Sequence, residues 1–110
     1  MALATHAEGT QTTVANTEHF LGTDPDSTDG AYQIVIDTTP MTRTDTLKIR
    51  LYEAALTTDV TSPRMATIPL YGEQVDPLFV SPAFVLLNRW RISIECNAVR
   101  NIKWSIRKVS

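Results

Sequence analysis

The chain predicts an all-β fold, a β-sandwich of about eight strands in a jelly-roll-like arrangement. Three observations carry that expectation. Several segments alternate apolar and polar residues with period two, the mark of strands that show one face to a core and the other to water. No segment of ten or more residues shows the 3.6-residue period of an amphipathic helix. Turn-forming clusters, such as DPDSTDG at residues 24–30, separate the alternating runs at short intervals. Two facing sheets let every apolar face find a partner, and so many strands in 110 residues fit a jelly roll best. An immunoglobulin-like sandwich is the second choice. It normally brackets a tryptophan with two cysteines, and this chain has one, Cys96.

Taken in order, residues 1–8 lack periodicity and bulk and are expected to form a flexible arm, leaving 9–110 as a single β-sandwich domain. The threonine-rich segment 9–15 suits a sheet edge. A short strand follows over 18–23 with Phe20 inward, and then the 24–30 loop, where Pro25 suits a corner and Gly30 a tight reversal. The plan is clearest over 31–54. Tyr32, Ile34 and Ile36 alternate with polar or smaller neighbours, and after a turn Leu47, Ile49 and Leu51 do the same. Residues 56–63 read as a loop. Residues 65–71 read as a strand placed at an edge by Pro69, which has no amide proton to give to a ladder. The turn at 72–77 leads into an extended run, 78–87, broken at Pro82. Trp90, Ile92, Ile94 and Cys96 form the next alternation, and Ile102, Trp104 and Ile106 the last. The expected core is Ile34, Ile36, Leu47, Ile49, Leu51, Ile92, Ile94, Trp104 and Ile106.

Composition narrows the class. With 43% hydrophobic and 20% charged residues the chain is expected to fold as one compact unit. Its apolar runs are too short and interrupted for a membrane-spanning helix, and the start MALATHAEG lacks a basic and an apolar region, so synthesis in a cytoplasm is expected. Cys96 lies in an alternating run and is read as a small buried hydrophobe. The net charge of −2 divides unevenly, with nine acids against three bases in residues 1–59. In a folded sandwich the two halves interleave, and the asymmetry is expected to average out.

Little in the chain points to catalysis. The two histidines, His6 and His19, lie near no glycine-flanked serine, and no nucleophile elbow, P-loop or dinucleotide fingerprint is present. Two histidines and a cysteine at wide spacing match no zinc pattern. Asp24, Asp26 and Asp29 are the weak candidates for a metal, but the glycine and glutamate of an EF-hand loop are missing, so no metal or other cofactor is expected. Arg89, Arg91, Lys103 and Arg107 make a basic sheet face conceivable. Nucleic-acid binding would interleave aromatics there for base stacking, and the tryptophans fall on the opposite positions. Carbohydrate recognition would need Tyr32, Tyr52 or Tyr71 at the surface.

A resemblance sharpens the reading. The segments EGTQTTVANTEHFLGTD (8–24), GAYQIVIDTTPMTRTDTLKIRLYE (30–53) and ISIECNAVRNIKWSIRKV (92–109) resemble small all-β proteins encoded among the head genes of tailed bacteriophages. The shared features are the GTQT opening at Gly9, the TEH step at Thr17, Asp37 followed by Met41, the strand from Asp45 to Arg50 and the closing strand with Trp104. Residues 57–76 depart from that pattern. The resemblance implies a capsid cement or decoration protein, a structural virion protein and not an enzyme. Such a unit binds the outside of the head, bridges neighbouring subunits of the major capsid protein and has no nucleic-acid or membrane partner. A glycan- or receptor-binding sandwich of a virion is the alternative. A cement unit at a local three-fold axis is expected to self-associate, as a trimer first and a dimer second. Its contacts are expected in the arm and the two polar loops, at Thr5, His6, Glu8, Asp26, Asp29, Thr58, Asp59 and Arg64.

Overall fold

A computed structural model describes residues 4–109, which form two antiparallel sheets and no helix. The strands are β1 (Ala4–Thr12), β2 (Thr17–Phe20), β3 (Gly30–Asp37), β4 (Thr46–Tyr52), β5 (Arg64–Tyr71), β6 (Leu78–Val80), β7 (Phe84–Leu86), β8 (Arg91–Cys96) and β9 (Asn101–Lys108). One sheet runs β1-β9-β3-β6, with β7 also paired to β3, and the other runs β2-β8-β4-β5. The chain passes from one sheet to the other at every step except β4 to β5 and β6 to β7. The shortest dimension is 19 Å, as expected for two sheets stacked about 10 Å apart with their outer side chains.

Alternation becomes core here. Leu47, Ile49 and Leu51 of β4 face Cys96, Ile94 and Ile92 of β8 on one side and Leu70, Ile68 and Ala66 of β5 on the other. From the opposite sheet Ile34 and Ile36 of β3 register with Ile106 and Trp104 of β9. All the expected core residues are buried except Trp104, which is only partly so. Its indole lies over Gly9, where an added Cβ would come within 3.2 Å of the ring, so the tryptophan closes the rim between β1 and β9. β5 is an edge strand, and it carries Pro69.

Four expectations need correction. Residues 4–8, read as part of an arm, belong to β1, which pairs along its length with β9; residues 1–3 lie outside the described residues. The polar sequence of β1 hides this, because an edge strand can be held by backbone hydrogen bonds with little apolar burial. Phe20 faces outward, since its register with Ser93 sets it on the face opposite His19 and Ile94. The run 78–87 is two short strands because Ser81, Pro82 and Ala83 leave the ladder between them, which makes nine strands. The four arginines and lysines form no single basic face. Arg91 is on β8 in one sheet, Lys103 and Arg107 are on β9 in the other, and Arg89 precedes β8.

Candidate functional site

Strand register gathers four segments that are far apart in sequence at one end of the sandwich. There Ala4 and Tyr32 both pair with Lys108, Gly30 pairs with Leu86, and Tyr52 pairs with Arg64 and Arg91. The start of β1, the 24–30 loop, the 53–63 loop and the 87–90 segment therefore surround one surface.

Hydrogen bonds fix the shape of that surface. The Glu53 carboxylate accepts from the amides of Leu87 (2.6 Å) and Asn88 (3.0 Å), and the Ala54 amide donates to the Asn88 carbonyl. The Ser62 hydroxyl donates to the Arg89 carbonyl at 2.5 Å. Asp59 accepts from the Leu56 amide and closes a turn within the loop. Asp26 and Trp90 exchange both backbone hydrogen bonds.

Beneath lies a polar knot that begins at a β-bulge. The register of β1 slips between Thr5 and Ala7, and the extra residue, His6, turns its ring inward. Its Nε2 meets Asp26 Oδ2 at 2.7 Å, and the ring packs edge-on to Tyr32 and near Trp90, with centroids 5.0 and 5.6 Å away. The Thr28 amide donates to Asp26 Oδ1, while the Thr28 carbonyl accepts from Tyr32 Oη and Trp90 Nε1. Burial pushes the Asp26 carboxyl up, and the bonds from His6 and Thr28 outweigh it and hold it below the usual aspartate range.

The outward face of the β2-β8-β4-β5 sheet is closed by a second network. Glu18 accepts from the Ser93 and Tyr52 hydroxyls, and Arg50 bonds Glu95 at 2.6 Å, so Ser93 is fully buried on a face that looks toward solvent. Burial raises the Glu18 carboxyl, but those two hydroxyls and the Arg50 and Arg64 charges bring it below the usual value. The Arg91 guanidinium stacks on Phe20, 3.7 Å from the ring centroid, and pairs with Asp24.

The residues expected at a partner interface are thus separated. His6 and Asp26 meet inside the knot, Thr5 and Glu8 lie on the outward face of β1, and Arg64 sits over Tyr52 at the start of β5. Asp29 and Thr58 are exposed on the loop end, and Asp59 is partly covered there. Asp24, Asp26 and Asp29 are not brought together as ligands. Asp24 faces Arg91 and Asp26 faces His6, and among the described residues no three His, Cys, Asp or Glu side chains are placed to hold a metal. What sequence reading missed is the apolar part of this end: Leu56, Val60 and Leu87 are 62%, 80% and 51% exposed. Apolar residues inside polar loops were the available signal. Of the three tyrosines, Tyr32 is buried, Tyr52 is partly covered by the Glu18 network, and Tyr71 is exposed at the opposite end. Comparison with protein-family models, curated proteins and solved structures gave no match.

Proposed function

We propose that the protein is a structural virion protein, a cement unit that binds the outside of a tailed-phage head and bridges major capsid subunits through its loop end. The observation that carries the reading is the exposure of Leu56, Val60 and Leu87 on loops that are nevertheless tied down by Glu53, Asp59 and Ser62. Apolar side chains gathered at one end of a domain mark a surface that is covered in use. Loops already held in place lose little conformational freedom on docking, so more of the contact energy is kept. The interleaved strand order, β1-β9-β3-β6 facing β2-β8-β4-β5, is the wiring we read as a jelly roll, in keeping with the resemblance to phage head proteins.

In this reading the work is done by repeated interfaces and not by turnover. Modest contacts repeated over a capsid lattice add up to firm retention, with no catalytic group or cofactor. The unit is made in the host cytoplasm, ends on the capsid surface and acts as a trimer, or failing that a dimer. Co-sedimentation with stripped capsids tests it. Val60→Asp puts a charge on the docking surface and should lower the bound fraction by at least about tenfold without changing the fold. Equal binding by this variant removes the loop end from the interface.

One observation favours the glycan-binding alternative. Tyr71, 70% exposed at the opposite end, borders a depression of about 390 Å³ with Asn16, Thr46, Lys48 and Glu95. An aromatic face ringed by amide, hydroxyl and charged groups suits a pyranose. Screening the wild type and Tyr71→Ala on a glycan array decides it: binding lost in the variant supports a sugar site, and no binding by the wild type removes it.

A further inference from the structure

Arg89 is held where no protein group neutralises it. It follows the 53–63 loop in space, joined to it by the Ser62 hydroxyl on its carbonyl. Its backbone has φ of 44°, a left-handed conformation that a long side chain rarely adopts and that persists only where the surrounding structure over-determines it. Its Nε is buried and has no hydrogen-bond partner. Among the described residues Arg89 takes part in no ion pair, whereas Arg50, Arg91 and Arg100 all do.

The surroundings are those of a recess for an anion. Arg89 borders a cavity of about 440 Å³ together with Asp24, Pro25, Val60, Thr61, Ser62 and Arg91. Arg91 uses Nε and Nη2 on Asp24, so one carboxylate stands against two guanidinium groups and the cavity keeps a net positive charge. Thr61 lines the same cavity and carries a hydroxyl that can serve as a neutral donor. Pro25 and Val60 give the same cavity apolar wall, which suits a carboxylate carried on a short aliphatic stem better than a free inorganic ion. A guanidinium presents parallel N–H groups that match a planar carboxylate, and burial strengthens such a bond.

We propose that Arg89 is the anchor of a carboxylate-binding site between the 24–30 and 53–63 loops, and that it takes an aspartate or glutamate side chain of the protein that the loop end meets. The site itself stands on the geometry; its occupant rests on the capsid-binding reading. Two measurements separate them. The first is a proton–nitrogen NMR titration of the whole protein with sodium acetate, matched in ionic strength by sodium chloride. Saturable shifts at the Arg89 Nε–H signal and the Thr61 and Ser62 amides, absent from Arg89→Gln, are expected; no saturable shift in the wild type overturns the site. The second is co-sedimentation with stripped capsids, where Arg89→Gln should lower the bound fraction at least about tenfold, as loss of one member of a buried charged pair does. Unchanged capsid binding by Arg89→Gln, when acetate binds the wild type and not the variant, overturns the protein side chain as occupant and assigns the site to a free carboxylate. Failure of the wild type to sediment, with acetate still binding, sinks the capsid reading and leaves the site standing.

Discussion

Replacing His6 by alanine removes the group that ties the first strand to the buried end of the sandwich. His6 is 19% exposed and Asp26 7%, so their bond is largely shielded from water. A hydrogen bond to a charged group contributes about 1.5–3 kcal/mol, and an edge-on aromatic contact such as that with Tyr32 adds about 0.5–1.5 kcal/mol. Asp26 would keep only its bonds from Thr28. Allowing for partial exposure of the ring, His6→Ala should cost about 2–4 kcal/mol at neutral pH. Urea unfolding followed by tryptophan fluorescence measures this, with Trp90 beside His6 as a local reporter. The pH dependence gives a second readout. Asp26 has a folded-state value depressed below the unfolded one, so its stabilisation is complete above the unfolded value, about 4, and is lost as pH falls through the folded one. The difference between wild type and His6→Ala should therefore shrink below about pH 4. A cost under about 0.5 kcal/mol at pH 7, within the range of an ordinary surface substitution, would show that residues 4–8 behave as an arm after all.

Two further outcomes follow from the same structure. Ile49 is fully buried between Ile94 and Ile68, so Ile49→Ala should cost about 2–5 kcal/mol by equilibrium denaturation, and a loss below about 1 kcal/mol, the scale of an Ile→Val change, would mean that the site collapses or the register is wrong. Chelation with EDTA should leave the melting temperature unchanged, since Asp24 and Asp26 are engaged with Arg91 and His6; a fall of several degrees would restore Asp24, Asp26 and Asp29 as a metal site.

Period-two alternation made the inner strands legible. β3, β4 and β8 each bury a set of alternate side chains, and β9 does so apart from the partly buried Trp104, so Ile34, Ile49, Ile94 and Ile106 could be placed from the sequence. The failures are where alternation is not the organising force. β1 is an edge strand whose pairing is mostly backbone, and its one inward polar group, His6, owes its direction to a bulge that no residue pattern announces. Phe20 sits in a strand of four residues, too short for its own pattern to choose a face, and the arginine stacked on it comes from another strand. Residues 24–30 and 56–63 are recognisable as loops from the sequence, but their meeting depends on the order of strands across two sheets. Arg89 was grouped with Arg91 by sequence spacing; its left-handed backbone, set by the turn into β8, takes it out of the sheet and into the loop end.

The most direct test of the proposed cement role is electron cryomicroscopy of tailed-phage heads carrying the protein, at a resolution that separates the two sheets. A cement unit of this kind should give sandwich-shaped density on the outside of the head, at local three-fold positions, with the 24–30, 53–63 and 87–90 segments against the major capsid protein. Density placed elsewhere in the particle, or docked with that end turned toward solvent, would contradict it.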